Sequence, residues 1–325
     1  MINTSYKGVR MALADADPVF SKVLSDAFLA LGLSEVATCA DKDQLLSALS
    51  TPADIIACSI DLPGIDFLKL AQDIRHGRVG ANPFAVLIAT GNPNDPDAIS
   101  RILSAGVDDL VIKPAEADSV VRRITAFTKE RKPFVVSNGY VGPSRRPARR
   151  GDGSEDDIVE VPNTLRAKVV LGRDGPDLKV LMDAGFASLT QRKAQSGVRL
   201  MARLTRRVRE LAPDAAQIEE TRRILWTLGV KAAEVVVENK ISKTTRLVAE
   251  VAERVAKLSR RAAETQPRPR RAEVELLVQL AETSVATFLS MEGSTKTVPE
   301  MIAIVDAHLA PVSDAAGAAP AGPPA

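Results

Sequence analysis

The sequence predicts two unlike parts. A doubly wound α/β domain with a five-stranded parallel sheet is expected over residues 8–131, and an all-α bundle or coiled-coil region over residues 176–310. Three observations carry this. Short apolar runs alternate with amphipathic ones through the first 130 residues. Strand-like patterns stop there. From Pro176 onward the apolar residues step by three and four. The 325-residue length suits about two domains of roughly 100–200 residues each.

The elements of the first part follow in order. Val9–Ala14 is a short apolar strand, and Asp17-Pro18 then opens a helix carrying Phe20, Val23, Leu24, Phe28 and Leu31. Asp17 suits the N-cap, with proline at the first helical position. Glu35–Ala40 reads as a second strand, and Leu45, Leu46 and Leu49 mark a second helix. Ala53–Ile60 is a buried-strand run, followed by a helix with Phe67, Leu68, Leu70 and Ile74. Phe84–Ala89, Ala98–Leu103, Leu110–Ile112 and Val120–Phe127 continue the alternation as strand, helix, strand and helix. Apolar strands separated by amphipathic helices imply a parallel sheet covered on both faces, with its functional site at the carboxyl ends of the strands. Five strands and five helices are expected to close a complete core within residues 1–133.

Composition narrows the chemistry. Two cysteines, Cys39 and Cys58, and two histidines, His76 and His308, are too few for a disulfide framework or most zinc and hydrolase arrangements. Aromatic residues make up 3% of the chain and leave little for base stacking. No apolar run reaches the roughly 18–20 residues of a membrane span. A cytoplasmic protein without a bound cofactor is expected. Charge is uneven: the balance is −3 over residues 1–133, +4 over 134–150 and +1 beyond, so an acidic half and a nearly neutral half flank a basic connector.

The expected strand ends carry Asp15 and Asp17 after the first strand, Ser59 at the third, Thr90 at the fourth and Lys113-Pro114 at the fifth. With LPGID after strand three and SAGVDDLVIKP around strand five, this order resembles the receiver domain of bacterial two-component response regulators, a chemotaxis-regulator-like, flavodoxin-like fold. The resemblance covers residues 8–131. It implies an aspartate at the end of strand three that accepts a phosphoryl group from a histidine kinase. It also implies an acidic pair that helps hold Mg²⁺, and a Thr/Ser and a Lys that bind the phosphoryl oxygens. Here the acceptor position falls on Ser59, and serine cannot form an acyl phosphate. The second acidic position falls on Ala16, and the aromatic switch position on Leu110. Asp61, two residues beyond Ser59, is not expected to substitute. The domain looks like a degenerate pseudo-receiver, with Asp15, Asp17, Ser59, Thr90 and Lys113 as its altered pocket. A Lys113–Asp15 ion pair is the plain expectation there, and a residual Mg²⁺ position at Asp15 the weaker alternative. The resemblance also implies a partner face on helix four, strand five and helix five, where Ala98, Ile102, Val107 and Leu110 fall.

Residues 132–175 read as a flexible linker, basic and then acidic. Phe134-Val135-Val136 and Tyr140-Val141 are apolar islands in it, suited to packing back on a domain. Arg145, Arg146, Arg149 and Arg150 suit phosphate or acidic-lipid contact, but four arginines are few and a solvated connector is expected. His76, beside Arg75 and Gly77 at the end of the third helix, reads as a solvated helix terminus.

Helices are expected over Asp177–Thr190, Gln191–Leu211, Ile218–Asn239, Ile241–Glu264, Val274–Met291 and Val298–Leu309, before a disordered Ala/Pro/Gly tail at 311–325. The second of these carries Arg192, Lys193, Arg199, Arg203, Arg206, Arg207 and Arg209 against one acid, Glu210. Nucleic-acid binding is one expectation for that basic face. Solvation, or contact with an acidic protein surface, is the favoured one, because the arginines spread around the helix and no helix-turn-helix pattern follows. A histidine phosphotransfer bundle would need an exposed mid-helix histidine, and His308 is not placed for it. The expectation is a non-catalytic signalling adaptor that binds a protein partner, with the helical part mediating interaction or homo-oligomerisation. A DNA-binding regulator and a phosphorylation-dependent receiver with an unusual acceptor are the competing classes.

Overall fold

The structure, a computed structural model, describes residues 5–137, 139–145, 158–239, 243–264 and 269–289. The chain divides into two compact units, Met1–Arg192 and Lys193–Ala325.

The first unit holds five parallel strands in the order β2-β1-β3-β4-β5: β1 Arg10–Ala14, β2 Glu35–Cys39, β3 Ile55–Ser59, β4 Val86–Gly91 and β5 Asp109–Ile112. Between them run α1 Pro18–Leu31, α2 Lys42–Leu49, α3 Phe67–Arg75 and α4 Pro96–Ser104, with α5 Ala117–Ala126 after β5. Asp17, Asp41, Asp66 and Asp95 each cap a helix through a carboxylate that accepts a first-turn N–H.

Strand parity divides the core. Met11, Leu13, Ile55, Ala57, Val86, Ile88 and Val111 face α1 and α5. Ala12, Ala14, Ile56, Cys58, Leu87, Ala89 and Leu110 face α2, α3 and α4. Successive side chains leave a strand on opposite faces, so an uninterrupted apolar run is what a sheet covered on both sides requires.

The described residues of 132–175 depart from the linker expectation. Phe134–Ser137 (β6), Tyr140–Pro143 (β7) and Ile158–Val159 (β8) form a second, antiparallel sheet in the order β7-β6-β8. Thr164–Val169 (α6) follows, capped by the Asn163 side chain. Phe134, Val136, Val141 and Val159 bury with Phe84 and Leu189, while Leu165 and Val169 of α6 enter the α1/α5 core. Apolar burial outweighs the Gly/Pro/Ser character that suggests a free connector.

Ion pairs at the amino-terminal ends of the strands fasten this addition. Arg75, expected at a solvated helix end, is fully buried. Its guanidinium donates to the carbonyls of Gly106, Pro83 and Ala85 at 2.7–2.8 Å and to Asp108 at 2.7 Å. Arg131 donates twice to the same carboxylate at 2.9 Å, and the Phe134 ring lies 5.0 and 4.9 Å from the two guanidinium carbons. Arg145 donates to the Val107 carbonyl while its side chain stays exposed. Lys168 of α6 pairs with Asp54 at 2.7 Å.

Gly175–Leu211 forms one continuous helix, α7, where two segments are expected. In the second unit its Ala194, Val198, Met201 and Val208 bury with residues of α8 Ile218–Asn239, α9 Lys243–Glu264 and α10 Arg271–Leu289. These segments agree with the helical class read from the periodicity. Arg146, Arg149, Arg150, His308, the 298–309 segment and the tail lie outside the described residues.

Candidate functional site at the carboxyl ends of the sheet

Parity also builds the candidate site. Asp15, Ser59, Thr90 and Lys113 each stand an even number of residues beyond a side chain that faces α1 and α5. Register brings Ser59 beside Thr90, and the Lys113 N–H donates to the Gly91 carbonyl at 2.9 Å. Four sequence-distant positions therefore converge at the strand ends.

Asp15 is the hub. Its side chain is 3% exposed and pairs through Oδ2 with Nζ of Lys113, which is 22% exposed. Thr90 Oγ1 donates to the same oxygen at 3.4 Å, and the Asp17 N–H donates to Oδ1 at 3.1 Å. The Phe20 ring lies 4.4 Å from the Lys113 ammonium and shields it on one side. Asp17 is occupied otherwise: its carboxylate accepts from Val19 and Phe20 as the α1 cap. The structure thus joins Asp15, Thr90 and Lys113 and assigns Asp17 to the helix.

Ser59 is buried, and its Oγ accepts the Asp61 N–H at 3.3 Å. Among the described residues no hydrogen bond joins it to a histidine or carboxylate that would activate the hydroxyl. Asp61 itself is exposed. These residues do not fit Mg²⁺. The one buried carboxylate, Asp15, is paired with an ammonium, Asp17 is spent on the helix cap, and neither Ala16 nor Ser59 supplies the further negative charge that Mg²⁺ favours. Cys58 lies in the same strand as Ser59. Burial, and secondarily the charges of Asp15 and Cys39, push its thiol up to about 12, which keeps it a hydrophobe rather than a nucleophile.

The expected partner face needs correction. Ile102, Val107 and Leu110 are 5%, 0% and 8% exposed, because all three pack into the α2/α3/α4 core, and Ala98 is half-buried. Exposure falls instead on Ile112 and Arg101. A cleft of about 400 Å³ beside Ala98 and Arg101 is lined by Asp61, Phe67 and Asp95. On α7, Arg192 and Arg199 are half-buried and engaged in contacts, whereas Arg203 and Arg206 are exposed. Sequence reasoning missed the Arg75–Asp108–Arg131 cluster. Asp108 carries no signal of pairing with residues 33 and 23 positions away along the chain.

Comparison with known proteins places the first domain. The profile of the response regulator receiver domain matches residues 11–125. Regulator of RpoS of Escherichia coli K12 is 30% identical over 109 residues, 34% of this chain and 31% of that protein. Two-component response regulator PhoP of Pseudomonas aeruginosa is 31% identical over 90 residues, 28% of this chain and 38% of that protein. The match thus spans about a third of the length of each of these curated relatives. Among solved structures, the chemotaxis response regulator CheY4 of Vibrio cholerae aligns at 16% identity and a TM-score of 0.33, covering 36% of this chain and 97% of that one. With a five-stranded parallel sheet in the order 2-1-3-4-5 and a profile match across it, residues 11–125 are a response regulator receiver domain of the two-component signalling type.

Proposed function

We propose that this receiver works without phosphoryl transfer, as the protein-binding module of a cytoplasmic signalling adaptor, with the helical region providing a second interaction or oligomerisation surface. The observation that carries this is the Asp15 carboxylate. Its Oδ2 already collects Lys113 and Thr90, while the acceptor position holds Ser59. A carboxylate neutralised by a lysine within the chain leaves neither a nucleophile nor free positive charge to receive a phosphoryl group. The partner face is proposed around Ala98, Arg101 and Ile112 in place of the buried residues. The test is intact mass after incubation with Mg²⁺ and acetyl phosphate. No change is expected. A single phosphoryl adduct mapping to residues 53–66 refutes the proposal.

A further inference from the structure

The basic helix is not uniformly basic once its contacts are drawn. Arg192, Lys193 and Arg199 are engaged, and Arg207 pairs with Glu210 at 3.1 Å. Arg203, Arg206 and Arg209 are exposed and make no ion pair or hydrogen bond among the described residues. Arg206 and Arg209 stand over a groove of about 430 Å³ between α7 and α10. Among the described residues its remaining lining is Ala202, Thr205, Glu210 and Val278. Thr205 spends its hydroxyl on the Met201 carbonyl at 2.6 Å, so the floor offers the solvent mainly methyl groups.

We propose that this groove docks an acidic amphipathic segment of a partner protein, an apolar side chain entering between α7 and α10 while carboxylates meet Arg203, Arg206 and Arg209. The spacing suits it. Three arginines at intervals of three residues extend about 9 Å along the axis, close to the run of carboxylates along one face of a helix. A nucleic acid fits less well. Glu210 is neutralised by Arg207 and weighs equally on either ligand, but among the described residues the lining has no aromatic ring for stacking, and three arginines give a log–log salt slope of only about −3. The inference rests on the adaptor reading only in taking the partner to be a protein.

The test uses the full-length chain and a fluorescein-labelled synthetic peptide of about 16 residues, with leucines on one face and glutamates flanking them. Binding with a Kd below about 100 µM is expected. Arg206→Glu with Arg209→Glu weakens it about tenfold or more, as does replacing the peptide glutamates by glutamine. Ala202→Trp fills the groove without changing charge and also weakens binding, with circular dichroism confirming helicity of each variant. Equal binding of the glutamine peptide, indifference to the double arginine change, or no binding up to about 1 mM overturns the proposal. Tighter binding of a short DNA duplex at about 0.15 M salt overturns it in favour of nucleic acid. Acetyl phosphate reactivity belongs to the receiver alone, so failure of the adaptor reading and failure of the groove are separately visible.

Discussion

Replacing Asp108 with alanine removes the carboxylate that two guanidiniums share. In the native domain Asp108 accepts from Arg75, twice from Arg131 and once from the Leu87 N–H, all between 2.7 and 2.9 Å. Arg75 has no exposed surface, so its charge has no access to water once the carboxylate is gone. Breaking a buried pair by removing one partner costs about 3–5 kcal/mol. In a body of this size each kcal/mol lowers Tm by about 2–4 °C, so a fall of about 6–20 °C is expected. The assay is built into the sequence. Tyr6 and Tyr140 both lie in the first unit, and the single tryptophan, Trp226, lies in the second. Tyrosine fluorescence should report the shift while the Trp226 transition serves as an internal control. The pH dependence has a definite sign. Burial works to raise the Asp108 carboxyl, but the charges of Arg131 and Arg75, with the bonds from Arg131 and Leu87, outweigh it and hold it below the ordinary carboxylate range. The stability it contributes is therefore present above about pH 4 and lost as pH falls through its lowered value. Asp108→Asn should narrow the gap to wild type on acidification. A stability within about 1 kcal/mol of wild type for Asp108→Ala at neutral pH refutes the argument.

Three further outcomes follow from the same geometry. Residues 1–133 alone should melt at least about 10 °C below residues 1–192 by circular dichroism, because the cut removes Phe134, Leu165 and Val169 from buried positions; equal melting contradicts the packing. Lys113→Met should cost about 1–3 kcal/mol in tyrosine-monitored urea unfolding, discounted for the partial exposure of the lysine, since it strands the buried Asp15. Burial raises Cys39 to about 11 and Cys58 to about 12, so both thiols should react at about pH 8 at least about a hundredfold more slowly in native than in urea-unfolded protein.

The sheet and its polarity were legible because strand parity and helix caps are local. Each needs only a few adjacent residues, and Asp17-Pro18 or the Ala53–Ile60 run carries its own signal. The convergence of Asp15, Thr90 and Lys113 was legible through the order of strands and the resemblance to a known family. What sequence did not disclose was non-local. Phe134-Val135-Val136 and Tyr140-Val141 are legible as apolar islands that pack back on a domain, but not as strands of one sheet, because their pairing with each other and with Ile158-Val159 leaves no local signal. Arg75 at a helix end gives no hint that three carbonyls and a carboxylate surround it. Ile102 on α4 and Leu110 on β5 lie on the expected elements and Val107 in the turn between them, but all three point inward, because exposure at a helix–strand junction depends on how neighbouring elements close over it.

The sealing of the amino-terminal strand ends by β6, β7, β8 and α6 bears on how such a chain can drift. Arg75, Asp108, Arg131 and Phe134 each answer to several neighbours at once, so a change at one of them demands compensating changes at the others. At the opposite end the joint obligation is confined to Asp15, Thr90, Lys113 and Phe20. Ala16 and Asp61 face solvent there, and Ser59 has a single side-chain hydrogen bond to lose. Substitutions at Ala16, Ser59 and Asp61 therefore fall where the architecture is most forgiving, and the sheet can tolerate sequence change at its carboxyl-terminal rim that it could not tolerate at the other end.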